Sequence, residues 1–218
     1  MKVDLVASLK EFFFDIIGFI IPGIVVLMIA KHVFNCPLEL DYGTFATIIL
    51  AYVIGYVVFS FSLIKAWVYD ETFIGNIFCS SKSIKKKLSE GDVFKIASAE
   101  MIKRVSDADQ KLESFNSYRN IAMSETPESN QLVYTFMFRA ELFDQLHTIA
   151  VLTSVFGVFA SILSYCVDFF ADFNFYWLVL FLILVFSLRS GWKRFYTISM
   201  NIPFSLYLTK IKKTKEGE

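Results

Sequence analysis

Residues 45–64 form a predominantly apolar run without a single charged side chain. A helix rises about 1.5 Å per residue, so a run of this length crosses a hydrocarbon core of about 30 Å. Three other stretches share this character: residues 12–30, broken only by Asp15, residues 148–167, and residues 175–188 with aromatic residues at either end. Inside lipid each must be a helix, because an open strand leaves backbone N–H and C=O groups without partners.

Composition supports the same conclusion. The chain is 56% hydrophobic and 19% charged and contains 25 phenylalanines, whereas soluble domains average about 45–50% apolar and about 25% charged residues. A soluble core in a chain of 218 residues cannot bury that much hydrocarbon. The expected fold is therefore all-α and polytopic, with four transmembrane helices. Residues 1–68 carry helices one and two, 69–146 a helical cytoplasmic insert, 147–190 helices three and four, and 191–218 an amphipathic cytoplasmic tail. Lys2 and Lys10 resemble the start of a signal peptide. No small-x-small cleavage site precedes Lys31, so the first helix is expected to be a retained anchor.

Net charge is zero, which removes the basic surface that direct nucleic-acid binding requires. The placement of the charges is more informative. Lys and Arg resist translocation. The loops at 34–43 and 168–174 contain Glu39, Asp41, Asp168 and Asp172 but neither Lys nor Arg. With both termini and the insert in the cytoplasm, twenty of the 21 basic residues lie on the inner side, Lys31 being the exception. Trp67, Tyr69, Tyr176, Trp177, Trp192 and Tyr196 flank the spans as interfacial aromatics do. The expected location is the inner membrane of a bacterium.

Within the spans, Asp15 and Pro22 are the candidate functional residues. An intramembrane carboxylate is costly and points to function; at its shallow depth Asp15 can also pair with Lys10. Pro22 cannot donate to the Gly18 carbonyl, which predicts a kink or local opening. That is either a hinge or an ordinary membrane-helix proline. Small residues recur at four-residue spacing in the second span, Ala51 and Gly55, and in the third, Ala150 and Ser154, then Gly157 and Ser161, and Gly18 and Gly23 of the first span are further candidates for helix packing. They serve packing within the chain or between copies. The bulky fourth span is expected to face lipid. Cys36 and Cys166 share the outer side, where a disulfide is chemically allowed. His32 and His147 stand apart in sequence, and no cysteine or histidine spacing suggests a metal. No cofactor is expected.

In the insert, Phe94, Ala97, Met101, Val105, Ala108, Leu112 and Phe115 recur at steps of three and four, an amphipathic helix whose stripe needs a covering surface. Phe94, Met101, Val105, Leu112 and Phe115 are candidate contacts for a protein partner. Neighbouring insert segments and a second subunit are alternative covers. Thr126-Pro127-Glu128 predicts a helix start with Thr126 as cap, and the helix should run unbroken into the third span. Lys82, Lys85, Lys86 and Lys87 form a juxtamembrane basic cluster, either attracting anionic lipid or simply fixing orientation.

The run Phe14-Asp15-Ile16-Ile17-Gly18-Phe19-Ile20-Ile21-Pro22-Gly23, the Tyr52-Val53-Ile54-Gly55 segment, Phe138-Arg139 in a long helix, and Trp192-Lys193-Arg194-Phe195-Tyr196 after the fourth span carry a resemblance. In this layout the chain resembles the small four-span membrane proteins of bacterial anti-phage defence operons, such as the Kiwa membrane subunit. That resemblance implies an oligomeric membrane sensor working with a cytoplasmic DNA-binding partner, and it assigns no functional residue. Two functions compete: a non-enzymatic sensor or scaffold holding a cytoplasmic effector, and a membrane-disrupting effector or small channel, for which Pro22 and Asp15 speak. A lipid-modifying enzyme ranks last, with only Asp70 and Glu71 adjacent near the membrane.

Overall fold

The computed structural model describes residues 5–36, 43–72, 75, 78–105, 114–163 and 174–216, with side chains for all of these except 5–13, 15, 104–105 and 216. The described residues form seven helices and no strand. They are α1 (Leu5–His32), α2 (Gly43–Glu71), α3 (Ser81–Ser89), α4 (Asp92–Val105), α5 (Phe115–Glu125), α6 (Glu128–Leu163) and α7 (Phe175–Glu216). Among the described residues, α2, α6 and α7 are long and apolar enough to cross a membrane, and the apolar part of α1, Ile16–His32, is somewhat shorter.

The chain divides into two units. Unit 1 is Met1–Trp67 with Glu141–Gly191, and unit 2 is Val68–Ala140 with Trp192–Glu218. Helices α2, α6 and α7 each contribute residues to both.

Unit 1 is held by small residues turned inward. Gly23 lies against the Ala51 carbonyl and Gly55 against the Phe19 carbonyl, so close that any Cβ at either glycine would overlap backbone. Such close approach is what small residues permit between membrane helices. Phe19 closes the crossing, with its ring 5.5 Å from Tyr52, 5.5 Å from Tyr56 and 5.6 Å from Phe59. In α6, Ala150, Ser154 and Gly157 are buried, while Leu152, Val155, Phe156 and Phe159 are exposed. Ser154 and Ser161 donate to the Ala150 and Gly157 carbonyls, each at 2.8 Å, so their hydroxyls are satisfied along the helix itself. The α-helix continues through Pro22, which is fully buried. In α7 the bulky sequence does have an inner stripe: Leu178, Phe181 and Val185 are buried.

Unit 2 is built the ordinary way. Ala97 and Met101 of α4, Ala122 of α5, and Phe204, Tyr207 and Ile211 of α7 form one buried cluster, with Phe94 and Phe115 packed on it. The rings of Phe94, Phe115 and Phe204 meet at 5.1–5.3 Å. The stripe of α4 therefore finds its cover inside the chain, on the far end of α7. Ser80 caps α3 by accepting from the Ser83 N–H at 3.1 Å. The Asp70 carboxylate accepts from the Ser81 hydroxyl at 2.8 Å, and Glu71 pairs with Lys82.

Three local expectations change. The stripe from Phe94 to Phe115 is not one helix: Ser114 is extended and caps α5, accepting from the Ser117 N–H at 3.2 Å, so Phe115 belongs to α5 and not to α4. Thr126 does not cap the helix after it: its hydroxyl donates back to the Ala122 carbonyl at 2.7 Å and closes α5. The start of α6 rests instead on the Thr126 carbonyl, which accepts from the Ser129 N–H at 2.8 Å. The tail, moreover, is no separate element. A single helix of 42 residues runs on through Gly191 and a buried Pro203.

Candidate functional site

In unit 1, ionisable residues from three helices meet at one point. On α2, Ala51, Val58 and Ser62 are buried at steps that return every one or two turns to the same face. Lys65 is next on that stripe. On α7, Arg189 follows Leu178, Phe181 and Val185 at the same spacing, and is itself 7% exposed. Helical periodicity alone thus carries both cations inward. Their common partner is Asp144 of α6.

One carboxylate oxygen joins all three helices. Asp144 Oδ1 accepts from Lys65 Nζ at 2.8 Å and from Arg189 Nη1 at 3.0 Å. The Lys65 ammonium also donates to the Asp144 carbonyl at 2.9 Å and to Thr148 Oγ1 at 2.8 Å, and lies 3.1 Å from His147 Nδ1. The Thr148 hydroxyl donates in turn to the Asp144 carbonyl at 2.8 Å. One turn of α6, residues 144–148, therefore forms an acceptor cage around the α2 ammonium. Charge-assisted bonds of this kind are stronger than neutral ones.

Burial sets the energetics. The side chains of Lys65, Asp144 and Arg189 are 10%, 15% and 8% exposed, and His147 is fully buried. Removing such ions from water costs several kcal/mol each, so the cluster persists only because each ion is partnered. This arrangement can fasten three helices.

The other candidates are distributed as follows. Gly18, Pro22, Gly23, Ala51 and Gly55 are buried where α1 and α2 belong to unit 1. Ala150, Ser154, Gly157 and Ser161 lie on α6 of the same unit, beyond Thr148. Phe94, Met101 and Phe115 are in the unit 2 cluster. The backbone of Asp15 is in α1 and that of Val105 ends α4, but their side chains, together with Leu112 and Cys166, lie outside the described residues; so therefore does any Cys36–Cys166 pairing. Among the described residues no three of His, Cys, Asp and Glu gather as a metal would require.

In unit 2 the hydrogen bond with Glu71 raises the Lys82 pKa, that with Lys103 lowers the Glu100 pKa, and burial lowers that of Arg119. These are surface pairs and one half-buried cation; burial, with the Asp70 carboxylate adding to it, also raises the Tyr196 pKa to about 12. The Lys65–Asp144–Arg189 centre was not among the sequence candidates. Its signal was present: an ion on each of three inward stripes, all just beyond a span end. No family model matches this chain, and neither curated proteins nor solved structures match it.

Proposed function

We propose that this chain is a non-enzymatic, membrane-embedded sensor or scaffold subunit that works as an oligomer and holds a cytoplasmic protein partner. In this reading four helices cross a bacterial inner membrane, α1 joining α2, α6 and α7. Both termini and unit 2 are cytoplasmic, in keeping with the sidedness of Lys and Arg. The resemblance to four-span subunits of anti-phage defence operons favours a role there, with a DNA-binding protein as the partner.

The ion cluster is the observation that carries the proposal. Lys65, Asp144 and Arg189 each stand within four residues of the place where their helix passes, along the chain, from unit 1 to unit 2. Three membrane-type helices are fastened together just before they enter a unit with a water-type core. A change in how the membrane helices pack thus has a defined route along the chain into the cytoplasmic unit.

The test is purification of the tagged chain, expressed with its neighbouring genes, in mild detergent. A complex larger than the monomer, containing a stoichiometric soluble protein, is the expected result. A chain recovered alone and monomeric would defeat the proposal. Reporters at Gly91 and after Glu218 should be protected in intact cells. Dye leakage on expression, abolished by Pro22→Ala, would favour the membrane-disrupting function instead.

A further inference from the structure

We propose that the exposed lysines of α3 form a contact surface for the anionic phospholipid headgroups of the inner leaflet. The inference rests on the membrane reading above and adds a lipid class to it. By sequence, Lys82, Lys85, Lys86 and Lys87 either attract anionic lipid or merely fix orientation. The anchoring of α3 favours attraction. The Ser81 hydroxyl donates to the Asp70 carboxylate, Lys82 pairs with Glu71, and the Phe78 ring stacks on Tyr69 at 5.4 Å. These contacts tie the start of α3 to the last turn of α2. Asp70 is six residues past Ile64, about 9 Å along the helix. The headgroup layer outside the hydrocarbon is about 5–8 Å deep on each side. Lipid phosphates therefore lie within a Debye length, about 10 Å at 0.1 M salt, of the point where α3 begins.

Face and charge select what α3 can bind. Ile84 is buried and Leu88 half-buried, whereas Lys82, Lys86 and Lys87 are exposed. With its apolar side turned inward, α3 has no hydrocarbon to insert into a bilayer and offers charge alone. That charge is not neutralised locally. Among the described residues, Lys85, Lys86 and Lys87 have no ion-pair partner. Asp70 and Glu71 are engaged by Ser81 and Lys82, and Glu90, at the end of α3, is exposed and pairs with none of these lysines. On α7, Lys193 and Arg194 are exposed five and six residues past Leu188, a similar distance beyond a span, and add charge of the same sign. An acidic protein would also find cations here. Only the lipid phosphates, however, stand beside the end of α2 in every copy, and each cation near an anionic leaflet contributes about fivefold to the preference for it.

Native mass spectrometry on the purified full-length chain tests this, after incubation with equal amounts of phosphatidylglycerol and phosphatidylcholine bearing identical oleoyl chains. Phosphatidylglycerol should be retained at least about tenfold over phosphatidylcholine at about 0.05 M salt, and this preference should shrink at least about threefold at about 0.5 M. Lys85→Gln, Lys86→Gln and Lys87→Gln together should bring retention of the two lipids to within about twofold, with the melting temperature unchanged. Lys87→Gln alone, at an exposed position, should lower the preference about threefold and serves where the combined variant is unstable. Lys212→Gln, Lys213→Gln and Lys215→Gln remove as much charge at least about 36 Å along α7 past Leu188, and should leave the preference intact. Equal retention of the two lipids, insensitivity to salt, a preference kept by both α3 variants, or an equal loss in the tail variant would each overturn the proposal. So would displacement of phosphatidylglycerol by an equal concentration of inorganic phosphate, or loss of a co-purified soluble protein from the α3 variants while the lipid preference persists. Reporter topology fails separately. A chain with a cytoplasmic Gly91 reporter but no lipid preference refutes this inference alone.

Discussion

Units 1 and 2 solve the same packing problem with opposite materials. Of the 33 exposed large apolar side chains among the described residues, unit 2 contributes only Ile96, Ile102 and Leu132. The other thirty belong to unit 1, which buries Ala51, Ala150, Ala160 and its ions alongside a few large residues such as Leu27, Phe181 and Val185. Unit 2 buries Met101, Phe204 and Tyr207 and leaves Lys86, Lys87, Lys212 and Lys213 outside. A water-soluble body gains by removing hydrocarbon from solvent. A body dissolved in hydrocarbon gains nothing that way, so close backbone approach and internal polar bonds hold it together. With unit 1 in a membrane, as proposed, one chain contains two stability regimes, and substitutions should distinguish them.

The largest effect is expected at the ions. Asp144→Leu removes the Asp144 carboxylate from the buried Lys65 and Arg189, and breaking a buried pair typically costs about 3–5 kcal/mol. It should appear as a large drop in detergent melting temperature. The triple variant Lys65→Met, Asp144→Leu, Arg189→Met should recover most of that loss, since buried ion groups are often replaceable by apolar residues at little net cost. Lys82→Ala, which removes an exposed pair of unit 2, should leave melting unchanged. Failure of the triple variant to recover would mean that the cluster does more than fasten helices.

A second pair of substitutions addresses hydrocarbon directly. Phe204→Ala empties the centre of the unit 2 core, where Phe204 is 1% exposed, and should cost about 3–5 kcal/mol. Phe186→Ala removes the same atoms from the outside of unit 1, where Phe186 is 61% exposed. In bilayers or detergent its effect should be close to zero. If both variants lose similar stability in chemical denaturation, the contrast between lipid-type and water-type packing is wrong.

Much of this was legible in the residues. The apolar runs announce long helices because period and length are local properties. The continuous course from Glu128 to Leu163 followed from the absence of any breaker after Pro127. Ala51 and Gly55 announced themselves as small residues at packing spacing, though the carbonyls that Gly23 and Gly55 meet did not. The helix through Gly191 and Pro203 was not readable, since both residues punctuate structure locally. Burial of Met200, Pro203, Phe204 and Tyr207 outweighs that preference. The ion cluster was missed for another reason. Lys65 and Arg189 looked like inner-side charges, Asp144 like part of the insert and His147 like an isolated histidine. Extending each inward stripe by one turn would have brought them together. Asp15 stood out because its charge is conspicuous within a span, whereas ions at span ends are common and so attract no notice.

Smaller effects are expected at the crossing of α1 and α2. Gly55→Ala sets a methyl group against the Phe19 backbone carbonyl, and Gly23→Ala does the same against Ala51. Neither backbone can rotate aside, so the helices must separate, at about 1–3 kcal/mol as for other overpacked sites. A cysteine pair at Phe19 and Tyr52, oxidised in membranes, should cross-link more slowly in either variant. Unchanged cross-linking would show that the two helices do not depend on this contact.

Gly191→Ala should have the smallest effect, and its sign is informative. The added Cβ meets the ring of Phe143, again within unit 1. Unlike a backbone carbonyl, a ring at the end of a side chain can turn away for a modest cost. Against that cost stands the gain in helix propensity, about 1 kcal/mol for replacing Gly by Ala inside a helix. The two nearly cancel, so the melting temperature should change little in either direction. The double variant Gly191→Ala, Phe143→Leu removes the obstruction and keeps the propensity gain, and should be more stable than Gly191→Ala alone. If the single variant is instead as damaging as Gly55→Ala, the Phe143 ring is held as rigidly as backbone. The α6–α7 contact beside Asp144 would then be as tightly fixed as the α1–α2 crossing.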